Sequence, residues 1–167
     1  MRQLTKVLDS RQRKSDFFCG KEILDNYLHH QAGQDVKRKL SACFVMEDDE
    51  TGIIQGYYTL ANNSIPLSLI PFELQKKLPR SYSSIPTILL GRLAIDRRFQ
   101  GRGCGKLLLI DALHKSYEIS KTIGSFAVVV DPLDKDAENF YTKYGFIKLP
   151  DSGKMFLAMQ TIKNLFE

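Results

Sequence analysis

Apolar residues recur along this chain with two periods, and the switches between them mark its elements. In "SDFFCGKEILDNYLHHQAGQDVKRK", Ile23, Leu24, Tyr27 and Leu28 fall three and four apart, which predicts a helix with one buried face. The segment reads as helical in two pieces, and Gly33 permits a break. "SACFVME" and "IIQGYYTLANNS" are β-branched and aromatic runs joined by the turn-rich "DDETG", and read as two strands. "TILLGRLAI" reads as a third. From Gly103 onward, Leu107, Leu108, Ile110, Leu113 and Tyr117 restore helical spacing, again with one buried face. The unbroken run "SFAVVVDP" has the composition of a strand buried on both sides. "DKDAENFYTKYGF" reads as a short helix closed by Gly145, a residue suited to the left-handed position after a helix. "KMFLAMQTI" reads as the last strand. With a further strand near Leu4 to Leu8, the order α-α-β-β-β-α-β-α-β predicts a mixed α/β (α+β) domain.

One stretch interrupts this rhythm. Residues 62–86, "NNSIPLSLIPFELQKKLPRSYSSIP", hold four prolines and five serines, and predict an irregular connection with one helical turn around Phe72 to Leu78. So long a connection in a small domain is expected to act as a lid or substrate loop.

Composition changes this picture little. The 167 residues suit one domain spanning 1–167, and 43% hydrophobic with 26% charged content is ordinary for a soluble globular chain. No apolar run approaches the roughly 20 residues needed to span a bilayer, and "MRQLTKVLDSRQRKSD" lacks a signal core, so a cytoplasmic, non-membrane protein is expected. Cys19, Cys43 and Cys104 with His29, His30 and His114 form no CxxC or HExxH pattern, which argues against a metal site and a disulfide framework. Cys104 stands apart, because a glycine-rich helix start lowers a thiol pKa. The net charge of +5 suits a polyanionic ligand.

Charge and glycine converge in "RRFQGRGCGK", Arg97 to Lys106, where a strand gives way to a helix. A helix N-terminus offers free N–H groups and the positive end of the dipole, and so attracts phosphate. Glycine lets the backbone approach closely, while Arg102 and Lys106 add charge-assisted hydrogen bonds. Gly101, Gly103 and Gly105 give G-x-G-x-G rather than the dinucleotide G-x-G-x-x-G. A Walker loop fails too, because Gln100 stands where its first glycine belongs and Leu107 replaces its Ser/Thr.

Gln100, Gly103 and Gly105 instead form Q-x-x-G-x-G, which resembles the pyrophosphate loop of the GNAT superfamily of acetyl-CoA-dependent N-acetyltransferases. About 35 residues later, Ala137, Phe140, Tyr141, Gly145 and Phe146 resemble its second signature, N-x-x-A-x-x-F/L-Y-x-x-x-G-F. Asp134 departs from that pattern, standing where the family often has asparagine. The resemblance implies a GNAT fold, a mixed, mostly antiparallel sheet with splayed central strands and flanking helices, and acetyl-CoA as donor. It implies that Leu93, Ala94 and Ile95 pair with the pantetheine arm. Gln100, Gly101, Arg102, Gly103, Cys104, Gly105 and Lys106 would hold the pyrophosphate, with Asp134 and Phe140 as further coenzyme contacts. Arg97 and Arg98 would reach either the coenzyme 3′-phosphate or an incoming RNA.

The match extends to "FFCGKEILDNYLHHQAGQD", "GYYTLAN", "LLGRLAIDRRFQGRGCGKLLLIDAL" and "AENFYTKYGF". Together these are similar to the acetylating toxins of bacterial type II toxin–antitoxin modules. The resemblance implies acetylation of the α-amino group of aminoacyl-tRNA, a block on translation, a ribbon-helix-helix antitoxin partner and a homodimer. An α-amino group has a pKa near 7.7–8.0, lowered further by esterification, so a strong base is dispensable and none stands beside the motifs. The departing thiolate is the harder demand, and Tyr141 is the candidate general acid, or else packs beside Phe140 and Phe146. Arg92 either meets the RNA acceptor end or pairs with Asp96 or Asp111. Asn62, Asn63 and Ser64 either orient the amine or simply form a turn. "VKRK" (Val36 to Lys39), "QKK" and Arg80 offer an RNA phosphate track or a solvated face. The competing functions are acetylation of a small amine, antibiotic or protein N-terminus, and a non-catalytic coenzyme-binding module.

Overall fold

The computed structural model describes residues 3–167. The chain forms two compact units, one of residues up to Ala61 with Leu90–Ala112, the other of Asn62–Leu89 with Leu113–Glu167. Seven strands make a mixed sheet in the order β1-β2-β3-β4-β5-β7-β6, and six α-helices accompany them among the described residues. None of those helices is long and apolar enough to cross a membrane.

In the first unit, β1 (Lys6–Val7), β2 (Ala42–Glu47) and the start of β3 (Ile54–Pro66) pair antiparallel, with Val45 opposite Tyr57. Tyr57 is fully buried, met edge-on by Phe17 at 5.4 Å and stacked on Tyr27 at 6.3 Å. Its hydroxyl donates to the Leu24 carbonyl at 2.6 Å, which fastens the N-terminal helix to the sheet. Gly56 is required by close approach: a Cβ there would stand 2.7 Å from Ile95 and Leu108 side chains and 2.9 Å from the Ala94 carbonyl.

The N-terminal helix comes in two pieces as expected, but the interruption lies before Gly33. Its α1 (Glu22–Asn26) and α2 (Ala32–Lys37) are joined by a π-helical stretch, Tyr27–Gln31, and Gly33 lies inside α2 rather than at a break. The inward positions run Leu24, Leu28, Ala32 and Val36, with Tyr27 beside them. Spacing by four drifts around a regular α-helix, and the wider π turn brings it back into line. Ile23, expected inside, is 64% exposed. Gly33 is exposed and makes no turn, so Gly33→Ala is expected to raise stability by about 0.5–1 kcal/mol. Thermal denaturation checks this, and a lowered midpoint would contradict it.

The second unit holds the end of β3, the start of β4 (Ser84–Ile95), β5 (Ala127–Val130), α5 (Lys135–Lys143), β6 (Ile147–Lys148) and β7 (Met155–Ala158). β4 runs parallel to β5, while β7 is antiparallel to both β5 and β6. Ile65, Ile70, Ile85, Val129 and Phe156 make its core. The irregular connection is shorter than the sequence suggests, because β3 continues through Asn62, Asn63 and Ser64 to Pro66. Between Pro66 and Ser84 lie a 3-10 turn, Leu67–Leu69, and α3 (Phe72–Gln75).

Two further expectations are corrected. "KMFLAMQTI" is not one strand: β7 stops at Ala158 and α6 (Met159–Phe166) follows. Met159 and Ile162 bury its inner face, and Phe166 stacks on Tyr117 at 6.2 Å. In α4 (Cys104–Ser120), the buried stripe is Leu108, Leu109, Ala112, Leu113, Ser116 and Tyr117, whereas Leu107 and Ile110 are exposed.

Candidate functional site

The glycine turn is built from the end of β4 outward. Ile95 is its last residue, and Asp96 follows with only 1% exposure. The Asp96 carboxylate accepts from the N–H of Arg98 at 2.9 Å and of Phe18 at 3.1 Å. It also takes the Arg98 guanidinium through Nε at 2.8 Å and a terminal nitrogen at 3.1 Å. Burial alone would raise the Asp96 pKa, but the Arg98 side chain and the two N–H groups hold it below the ordinary carboxylate value. A 3-10 turn over Arg97–Phe99 results, and the Gln100 amide closes it by donating to the carbonyls of Ile95 at 2.8 Å and Cys19 at 2.9 Å.

Beyond this clamp the backbone turns left-handed twice, with φ of +75° at Gly101 and +79° at Gly103, and nothing lies within 4 Å of where either Cβ would stand. Glycine is therefore required by conformation, and the open space leaves room for a ligand against the main chain. α4 begins at Cys104, and Leu107 N–H makes a bond back to the Gly103 carbonyl at 3.2 Å. The N–H groups of the preceding turn have no partner within the helix. Gly105 lies inside α4, Cys104 is half-buried, and Arg102 and Lys106 are exposed. Free N–H groups, a helix dipole, two cations and an open glycine face are the donor set a pyrophosphate needs.

The neighbouring candidates resolve differently. Arg97 lies 5.0 Å over the Phe18 ring, and its guanidinium would be 2.9 Å from a Cβ on Gly20. Arg98 is engaged by Asp96 and is thereby removed from the free cations near the turn. Arg92 does not pair with Asp96; its guanidinium stacks 3.5 Å from the Tyr27 ring centroid. Asp111 accepts from Thr5 and Tyr58 hydroxyls. Tyr27 donates to Asp35 at 2.9 Å, and burial foremost, then that bond, pushes its pKa up to about 12. Leu93, Ala94 and Ile95 form the last residues of β4 as expected.

The tyrosine lies in the second unit. Asp134 is the N-cap of α5, accepting from Ala137 N–H at 2.9 Å, so its carboxylate has a structural duty at the position where asparagine was expected. Gly145, with φ of +93°, ends the helix. Phe140 meets Tyr141 at 5.2 Å and Tyr144 at 5.1 Å, and Tyr141 meets Phe146 at 5.2 Å. Tyr141 is buried, which pushes its pKa well above the ordinary phenol value. No group among the described residues takes a hydrogen bond from its hydroxyl. A buried ring thus presents an uncommitted, firmly protonated O–H. Asn62 is exposed and Asn63 half-buried, both on β3.

The motifs did not reveal Asp96 as a hub or Tyr27 beneath Arg92. The first carried a weak signal, an aspartate directly after an apolar strand and two residues before an arginine. The second carried none.

A family model for the acetyltransferase (GNAT) domain matches residues 39–148. A tRNA-acetylating toxin of Mycobacterium tuberculosis (strain ATCC 25618 / H37Rv) is 34% identical over 152 residues, covering 90% of this chain and 89% of the relative. A probable toxin TacT of Sinorhizobium fredii (strain NBRC 101917 / NGR234) is 30% identical over 173 residues, covering 98% and 95%. Among solved structures, a tyrosine-to-phenylalanine mutant of KacT superposes with a TM-score of 0.90 at 28% identity, covering 98% of this chain and 100% of that one. AtaT complexed with acetyl-methionyl-tRNAfMet gives 0.89 at 30%, covering 98% of each. A tyrosine-to-phenylalanine mutant of AtaT, bound to the C-terminus of the antitoxin AtaR and acetyl-CoA, gives 0.80 at 27%, covering 97% and 96%. The matched segment takes in both the glycine turn and the tyrosine helix, and the chain belongs to the GNAT acetyltransferase family.

Proposed function

We propose that this enzyme acetylates the α-amino group of an aminoacyl-tRNA and thereby blocks translation, as the toxin of a type II toxin–antitoxin pair. The observation that carries the reading is the near full-length likeness to a tRNA-acetylating toxin in a chain that keeps the glycine turn and the tyrosine intact. Acetyl-CoA, when bound, supplies the acetyl group as a thioester. The N–H groups from Arg102 to Lys106 hold its pyrophosphate, Arg97, Arg102 and Lys106 add charge, and Leu93 to Ile95 offer main-chain groups to the pantetheine. Phe140 and Asp134 of α5 are assigned as further coenzyme contacts, the latter chiefly serving as the helix cap.

Tyr141 is the catalytic residue at the leaving sulfur, serving there as a hydrogen-bond donor. A free thiol has a pKa near 8.5 and an ordinary phenol near 10, and burial raises Tyr141 further. Full proton transfer to a free thiolate is therefore uphill. The hydroxyl acts by donating a hydrogen bond to negative charge as it grows on the leaving sulfur, and the net proton comes from the amine as it becomes an amide. Arg92, fixed on Tyr27, and Asn62 with Asn63 are assigned to the substrate. The enzyme acts in the cytoplasm, as a homodimer, and its partner is a ribbon-helix-helix antitoxin.

Incubation with labelled acetyl-CoA and bulk charged tRNA tests the reading. Label is expected on RNA, released by mild base as an N-acetyl amino acid. Label on a small amine or a protein N-terminus, with none on RNA, overturns it.

A further inference from the structure

An open cavity of about 350 Å³ lies in the first unit, away from the glycine turn in sequence, lined by Gln12, Arg13, Lys14, Ser15, His29 and His30. Its lining holds four side chains able to carry positive charge and no carboxylate. Arg13 and Lys14 bring two standing positive charges to one cavity, and an anion between them offsets their repulsion. Three of the four side chains are also held in place. The Arg13 guanidinium donates to the Thr51 carbonyl at 2.8 Å, and His29 Nε2 stands 2.7 Å from the Phe17 carbonyl, which it bonds as donor. The His30 ring meets His29 edge-on at 5.8 Å. The π turn is what sets these two consecutive histidines at the cavity, and π turns are frequent at functional sites.

Gly33 supplies a second observation. Its open side faces Lys14, whose Nζ lies 3.4 Å from the position a Cβ would take, an ordinary contact that places the ammonium against the start of α2. No carboxylate among the described residues pairs with Lys14.

We propose that this cavity binds a phosphate group of the RNA substrate. The donors are those phosphate takes: the remaining guanidinium N–H groups of Arg13, an ammonium, the His30 imidazole, a hydroxyl and an amide. The volume falls in the range of small-ligand pockets and exceeds a lone phosphate, which leaves room for the attached ribose. α2 runs from the site to exposed Lys37, and exposed Arg38 and Lys39 follow directly after it. That the phosphate belongs to RNA rests on the function proposed above; the phosphate chemistry does not.

The test compares wild type with Lys14→Gln in the full chain. Inorganic phosphate, titrated at constant ionic strength against chloride, is expected to shift the His29 and His30 ring resonances saturably. Lys14→Gln is expected to weaken that binding about fivefold or more. For tRNA, the slope of log affinity against log salt is expected to fall by about one. Weakened phosphate binding with an unchanged tRNA slope would overturn RNA as the source and assign the cavity to a small phosphate compound. Unchanged values in both titrations overturn the proposal. Absence of acetylated RNA from the wild type would defeat the function instead, and the phosphate titration would still decide the cavity.

Discussion

Replacing Tyr141 by phenylalanine is expected to lower turnover by about 10²–10³-fold, the usual worth of one donor aimed at developing negative charge. The substitution removes one oxygen and keeps the ring between Phe140 and Phe146. The hydroxyl contributes no hydrogen bond to the fold among the described residues, so thermal stability should be unchanged or slightly raised. The glycine turn is not touched, so acetyl-CoA affinity should stay within about twofold, and the loss should fall on kcat. Two measurements check this: single-turnover acetylation of charged tRNA, and acetyl-CoA binding by calorimetry. Because burial keeps Tyr141 protonated through the ordinary phenol range, wild-type kcat should show no loss from its ionisation up to about pH 10. Unchanged turnover in Tyr141→Phe would leave the tyrosine only a packing role.

What was legible in the sequence was what local chemistry dictates. "AVVV" is β-branched and lies buried on both faces of its strand, and the glycine turn announced itself because Gly101 and Gly103 need dihedrals other residues resist. Tyr141 was found through a spaced motif rather than through its surroundings. Features that depend on distant parts of the chain were not legible. "LLLI" in α4 supports several helical registers, and only burial against the fold selects Leu108 and Leu109 over Leu107 and Ile110. The π turn exists to keep Leu28 and Ala32 on one face, a demand set by Tyr57 and the sheet beneath. Helix α6 was hidden because "MFLAMQTI" is apolar enough to read as strand throughout, and its end is decided by Phe166 finding Tyr117. The pairing of Arg92 with an acid was chemically reasonable, but Arg98 had already taken Asp96 and an aromatic face was available.

Asp96 is where stability and the coenzyme turn meet, and Asp96→Asn is expected to harm both. The carboxylate is 1% exposed and accepts from two main-chain N–H groups and the Arg98 guanidinium. Asparagine keeps the shape but turns one oxygen into a donor facing donors. Arg98 is half exposed, with 49% of its side chain accessible, so much of its own loss is made good by water. The larger penalty comes from the buried N–H groups, and the total is about 2–4 kcal/mol. At this chain length that lowers the melting midpoint by roughly 5–15 °C. The comparison is Asp9→Asn, where the Arg11 pair is exposed and the midpoint should not move. The effect has a defined pH dependence. The folded pKa of Asp96 is depressed, so its stabilisation is complete above the unfolded value of about 3.9 and fades as pH falls through the folded value. The gap between wild type and Asp96→Asn should therefore be constant from neutral pH to about 5 and close in stronger acid. Because Asp96 sets the turn that Gln100 closes onto Ile95 and Cys19, acetyl-CoA affinity should fall even at temperatures where the variant remains folded. A variant that melts normally at pH 7 and binds acetyl-CoA like wild type would show that the turn stands without its carboxylate.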